Sequence, residues 1–287
     1  MENNTTSDLS VQDLTSLNSA GLPILAADDH PINRILLARQ LEKLGLPVIL
    51  AENGVEALAC WHDRQFALII TDCQMPEMDG YALASAIREV ETREGRAHIP
   101  IIAWTAKPIP EDSAVCAKAG MNDFLSKPAT QRELTQILAK WLTAAAVQVA
   151  PAAVASSDEA PIDLATAAST TYTASDHMDA AVFDPTALID MLGDDPVVHR
   201  ELIGGFLEAV QKSAAEIQHA NEVHDASTLT KVSHKLKSSA RAVGFLQFSG
   251  ACEALERAGR NAAWAEISQA HSAFQIALKR MNAVMAA

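Results

Sequence analysis

Residues 67–81 read ALIITDCQMPEMDGY, and the register of that stretch decides the fold of the first half of the chain. Leu68, Ile69 and Ile70 form a short continuous apolar run, and Met75-Pro76 and Asp79-Gly80 bound it with turn signals. Such a run reads as a strand buried on both faces, the kind found inside a parallel sheet rather than at a solvated edge. It ends on Asp72, and open α/β sheets present their ligand-binding groups at the carboxyl ends of their strands.

Working outward, five strands are expected in all, at Ile24–Asp28, Pro47–Ala51, Ala67–Asp72, Ile99–Trp104 and Asp123–Ser126. Helical patterns separate them near residues 31–44, 54–64, 80–95, 111–118 and 130–142. Strands alternating with helices imply βαβ crossovers and a parallel sheet covered on both sides. Residues 182–287 show no convincing strand. Their apolar positions recur at helical spacing in 185–192, 196–220, 226–243, 247–258 and 262–285, with Asp184-Pro185 as a helix start and Gly244 and Gly259 as expected stops. An antiparallel helix bundle follows.

The chain of 287 residues therefore divides into an α/β domain at 21–143 and an all-α domain at 182–287. Residues 1–20 carry three acids and no base and read as a disordered tail. Residues 144–181 carry five acids and no base, are rich in Ala, Ser and Thr, and read as a flexible linker. A flexible segment of that length spans roughly 30–35 Å, an effective concentration near millimolar between the domains. A net charge of −14 argues against nucleic-acid binding, which needs clustered cations. There is no apolar run of about 18 residues and no apolar signal core, so a membrane span and secretion are not expected. Cys60, Cys73, Cys116 and Cys252 form no CxxC pair, which suits reduced thiols in a cytoplasmic protein.

The strand ends carry the chemistry. Asp28-Asp29, Asp72, Thr105 and Lys127 come from four strands and converge on one edge of the expected sheet. Crowded carboxylates need a cation, and oxygen donors without His or Cys favour Mg²⁺. A metal beside a carboxylate and a lysine suits phosphoryl transfer, with a carboxylate oxygen as nucleophile and Thr105 as a hydrogen-bond donor. In the second domain, VSHKLKSSARAV (232–243) stands out. At about 100° per residue, Leu229, Val232, Leu236, Ala240 and Val243 share a core face. His234 lies opposite, with Lys237, Ser238 and Arg241 at helical spacing and Lys231 and Lys235 beside it. Residues 231–241 hold four bases and no acid, so an exposed, neutral imidazole among phosphate-holding cations is expected.

ILAADDHPINR (24–34), LIITDCQMPEMDGY, IIAWTA (101–106) and DFLSKP (123–128) resemble, in order and spacing, the response-regulator receiver domain. The resemblance implies a (βα)5 flavodoxin-like sheet of order 2-1-3-4-5. It also implies Asp72 as phosphoacceptor, and Mg²⁺ bound by Asp28, Asp29, Asp72 and the backbone carbonyl of Gln74. Thr105 and Lys127 would contact the phosphoryl group, Phe124 would be the aromatic switch, and Lys127-Pro128 would be cis. A haloacid-dehalogenase-type phosphatase would want a second Asp where this chain has Gln74. SHKLKSS followed by AVGFLQFSGACEALE (242–256) resembles the histidine phosphotransfer (HPt) domain, an antiparallel four-helix bundle, with His234 as the phosphorylated histidine and Lys237 beside the phosphate. Ser238 replaces the Gly usual in that family.

The order receiver then HPt resembles the C-terminal end of tripartite hybrid sensor kinases of the BvgS/EvgS kind, to which WHDRQFALIITDCQMP and AGMNDFLSKP look closest. It implies a relay from an upstream histidine kinase through Asp72 and His234 to a downstream response regulator. A phosphorylation-dependent docking adaptor and a phosphate sink remain open as other readings, as does the choice between a free-standing relay protein and part of a longer kinase.

Overall fold

A computed structural model describes residues 11–18, 20–105, 110–148 and 182–285. The first domain holds β1 (Ile24–Ala27), α2 (Pro31–Lys43), β2 (Val48–Ala51), α3 (Gly54–Asp63), β3 (Leu68–Asp72), α4 (Gly80–Glu94), β4 (Ile101–Thr105), α5 (Pro110–Lys118), β5 (Asp123–Ser126) and α6 (Gln131–Gln148), preceded by α1 (Val11–Leu17). The strands form one parallel sheet in the order β2-β1-β3-β4-β5.

Side-chain alternation sorts the sheet into two cores. Ile24, Ala26, Leu68, Ile70, Ile102 and Trp104 face one side, with Leu37 and Leu41 of α2 and Leu134, Leu138 and Leu142 of α6. Leu25, Ala27, Ile69, Ile101 and Ala103 face the other, with Trp61 of α3 and Leu83 and Ile87 of α4. Asn53 and Asp79 cap α3 and α4 by accepting from the Glu56 and Ala82 backbone N–H groups.

The expected disordered tail is corrected in part. Val11–Leu17 is helical, and Leu14 is fully buried in the core that holds the α6 leucines. The polar composition of the segment concealed an apolar stripe at i, i+3 spacing. The expected linker is shortened, because α6 continues to Gln148; its remainder lies outside the described residues.

The second domain contains α7 (Thr186–Leu192), α8 (Pro196–Glu222), α9 (Ala226–Ala242), α10 (Leu246–Arg260) and α11 (Trp264–Met285). The four long helices follow one another through tight turns and pack in sequence. Asp184 accepts from the Thr186 N–H and hydroxyl, so it caps α7 as its sequence implied. Gly244 ends α9 at φ +89°, and a Cβ there would meet the Asp184 carbonyl at 2.0 Å, so only glycine fits. Gly259 lies in the last turn of α10, one residue before the helix ends, and a Cβ there would meet Thr230 Oγ1 of α9 at 2.5 Å. It lets the two helices approach.

The core of this bundle contains Leu202, Phe206, Val210, Leu229, Leu236, Phe248, Leu255 and Phe274. It also contains Ile32 and Leu36, which belong to α2 of the first domain. The two domains are docked through that helix.

Candidate functional site

Sheet order places β2 on one side of β1 and β3 on the other. The crevice at such a switch point is where an α/β sheet leaves room for a ligand. Asp28 and Asp29 leave β1 there, Asp72 ends β3, Thr105 ends β4 and Lys127 follows β5. Ligand oxygens of Asp28, Asp29 and Asp72 all lie within 4.8 Å of one another. Lys127 Nζ bridges Asp28 Oδ2 at 2.5 Å and Asp72 Oδ2 at 2.9 Å, above the Trp104 ring. Asp28 also accepts from the His30 backbone N–H at 2.8 Å and from Asn33 Nδ2 at 3.1 and 3.2 Å.

Burial pushes the Asp72 carboxyl up to about 6, against the pull of Lys127. Burial would lower Lys127, but the charges of Asp28 and Asp72 raise it above its ordinary value. The Gln74 N–H donates to Asp72 Oδ1 at 3.3 Å. Gly80 packs against the end of β3, where a Cβ would meet the Asp72 carbonyl at 2.2 Å. Thr105 is half-buried, and its carbonyl accepts from the Lys127 N–H at 2.7 Å. Phe124 is half-buried against the core on the α3–α4 side. The Lys127-Pro128 bond is cis.

The second cluster departs from expectation. The core face of α9 is as read, with Leu229, Val232, Leu236, Ala240 and Val243 buried. The opposite face is not an open basic surface. Lys237 and Ser238 are buried, and the His234 side chain is 19% exposed. The residue that changes the picture is Glu256 on α10. Its Oε1 accepts from His234 Nδ1 at 2.9 Å and from Arg260 at 2.5 Å, and its Oε2 accepts from Lys237 Nζ at 2.6 Å.

Burial alone would raise the Glu256 carboxyl. The hydrogen bond from His234 and the charge of Lys237 outweigh it and hold the group low, at about 2. A carboxylate on Nδ1 keeps the proton there and leaves the lone pair on Nε2. Lys237 is therefore tied to Glu256 rather than free on the surface. Counting charge within α9 missed this acid because it lies on the next helix. A signal was present: His234 and Glu256 sit eleven residues either side of Phe245, at the turn between α9 and α10. An antiparallel hairpin brings such positions level.

The two clusters meet. Lys235 Nζ lies 2.5 Å from Asp29 Oδ2. His30 is buried, with its Nε2 3.5 Å from Ser239 Oγ. Burial lowers His30 to about 4, so it is neutral near pH 7. His30 is thus part of the seam between the domains. Around it, Ile32 faces Gly205, Lys43 Nζ donates to the Leu192 carbonyl at 3.1 Å, and Arg39 lies 3.8 Å from Glu201.

Residues 24–139 match the response regulator receiver domain, and residues 201–285 match the Hpt domain. The chain joins a receiver domain to an Hpt domain. These are domains of two-component phosphorelay signalling. The receiver–Hpt chain is 32% identical over 241 residues to the virulence sensor protein BvgS of Bordetella parapertussis, covering 82% of this chain and 18% of that protein. It is 27% identical over 241 residues to the sensor histidine kinase GacS of Pseudomonas protegens, covering 84% and 24%. The chain thus spans about a fifth to a quarter of the length of these relatives. Among solved structures, the complex of the Saccharomyces cerevisiae phosphotransfer protein Ypd1 with the receiver domain of Ssk1 is 31% identical, covering 42% of this chain and 88% of that one at a TM-score of 0.41. The receiver domain of the Pseudomonas aeruginosa sensor kinase PA1611, with magnesium in its active-site cleft, is 36% identical, covering 42% and 98% at a TM-score of 0.39. Among the described residues no helix is long and apolar enough to cross a membrane.

Proposed function

We propose that this receiver–Hpt chain is a phosphoryl carrier: Asp72 accepts the group from an upstream phosphohistidine, and His234 takes it from Asp72 for a downstream response regulator. The observation that carries this reading is the seam itself. The acidic cluster around Asp72 and the helix bearing His234 are held against each other, with Lys235 on Asp29.

In the first step an Asp72 carboxylate oxygen attacks phosphorus. The P–O bond forms, the P–N bond breaks, and the donor imidazole keeps the electron pair. In the second step His234 Nε2 attacks, the new P–N bond forms, and the P–O electrons return to the Asp72 carboxylate. Because Nδ1 retains its proton, the phosphorylated ring carries positive charge. Glu256, 2.9 Å away, is placed to stabilise that charge. Lys127 faces the place where negative charge gathers on the transferred group.

The donor set fits a hard divalent cation: three carboxylates, no His or Cys ligand, and more negative charge than Lys127 balances. Asp28, Asp29, Asp72 and the Gln74 carbonyl would hold Mg²⁺. When bound, it neutralises charge on the phosphoryl oxygens.

The test is to incubate the chain with acetyl phosphate and Mg²⁺ and map base-labile and acid-labile label in wild type, Asp72→Ala and His234→Gln. Label that reaches His234 in wild type, and is absent from both positions in Asp72→Ala, is the expected result. Label confined to Asp72 in wild type overturns the relay and leaves a sink or a docking module.

A further inference from the structure

Lys235 belongs to α9, next to His234, yet its ammonium serves the other domain. It lies 2.5 Å from Asp29 Oδ2, and the Asp29 side chain is only 5% exposed. Lys127 already bridges Asp28 and Asp72, so Lys235 supplies the cation for the third carboxylate of the cluster. With the Hpt domain in place, the Asp28 and Asp72 side chains are 1% and 8% exposed.

We infer that Lys235 and a divalent cation compete for Asp29, so that metal loading of the unphosphorylated receiver and docking of the Hpt domain on it oppose each other. This rests on the reading that Asp28, Asp29 and Asp72 hold Mg²⁺. Two physical facts support it. A metal on Asp29 would face an ammonium at the same carboxylate, and like charges repel. Mg²⁺ also keeps several of its waters when protein-bound, and a cluster this closed to solvent has little room for them. The coupling is reciprocal: the factor by which docking weakens metal binding is the factor by which metal weakens docking.

The consequence is a gate. The metal-free receiver holds its own Hpt domain over Asp72; metal loading loosens that cover and opens Asp72 to an upstream donor. A phosphoryl group on Asp72 replaces one negative charge by about two. It returns to Lys235 an anion to face with metal in place, so the opposition applies before phosphorylation and not after it.

The experiment uses the full chain as wild type, Lys235→Ala and Lys231→Ala. Lys231 is an exposed cation of the same helix, so its loss controls for net charge. Calorimetric titration with MgCl₂ gives affinity, and small-angle scattering with and without MgCl₂ gives domain separation. Lys235→Ala is expected to bind Mg²⁺ more tightly by on the order of tenfold, and to be extended without metal. Wild type and Lys231→Ala are expected to expand when Mg²⁺ is added. Equal affinity in Lys235→Ala and wild type, or scattering from wild type that Mg²⁺ leaves unchanged, overturns the inference while leaving the metal site intact. Folded protein that binds no Mg²⁺ in any variant overturns the metal reading, and the inference with it.

Discussion

Glu256 shows how one residue can carry two kinds of work. It is nearly buried, yet it accepts from His234, Lys237 and Arg260. Its carboxyl is held at about 2, below its ordinary 4.5. A group lowered by folding contributes its full stability above 4.5 and loses it as pH falls from there to about 2. A tenfold change in proton affinity is worth about 1.4 kcal/mol, so the contribution is roughly 3 kcal/mol. Glu256→Gln should therefore cost the Hpt domain about 3 kcal/mol at pH 7. Urea denaturation followed across pH should show the gap to wild type closing between pH 4.5 and 2. A gap that persists at the acid end would mean the carboxylate is not the source. Gly80 makes the same point for backbone. With the Asp72 carbonyl 2.2 Å from where a Cβ would sit, Gly80→Ala should displace the end of β3. It should cut acetyl-phosphate labelling of Asp72 by at least about tenfold, the effect of a misplaced reacting group, while circular dichroism stays that of a folded protein.

At the scale of elements, α2 is the helix on which the molecule turns. Ile32, Ile35 and Leu36 pack with the Hpt core, while Leu37 and Leu41 pack with the receiver core. At about 100° per residue these are opposite faces of one helix. A helix apolar on both sides needs two partners, and the sequence PINRILLARQLEK shows both stripes. Leu37→Ala and Leu36→Ala should each cost about 2–4 kcal/mol, but in different places. Leu37→Ala should lower receiver stability in denaturant. Leu36→Ala should leave it nearly unchanged and raise hydrogen exchange along the seam, in Pro31–Lys43 and Ala226–Ala242. Equal losses of receiver stability would show that the Leu36 face belongs to the receiver alone. The same reasoning applies to α1. Leu14→Ala, at a fully buried position against the α6 side of the sheet, should lower receiver stability by about 2–4 kcal/mol in urea denaturation, whereas a disordered tail would show no change.

For the whole molecule, the docked seam bears on the proposed transfer. If Asp72 and His234 of one chain face each other across the seam, transfer from phosphorylated Asp72 should proceed at a rate independent of protein concentration. Mixing Asp72→Ala with His234→Gln should then yield far less label on histidine than wild type does. Efficient transfer between the two mutants would place the reaction between molecules instead. Gly205 offers a second handle. A Cβ there would lie 3.2 Å from Ile32 Cδ1, so Gly205→Leu should wedge the domains apart and slow transfer, with each domain still folded.

Much of this protein was legible along the chain. The five strands, the helices from α2 onward, the convergence of Asp28, Asp29, Asp72, Thr105 and Lys127, and the core face of α9 follow from local periodicity and from which residue ends each strand. Periodicity identifies an apolar face because the chain itself sets the angle between neighbours. It does not say what covers that face. Glu256 under His234, the second stripe of α2, Leu14 on the α6 core and Lys235 on Asp29 all depend on a partner far away in sequence. Only packing in three dimensions decides such pairings: a buried charge or apolar face is satisfied by whatever the fold brings to it.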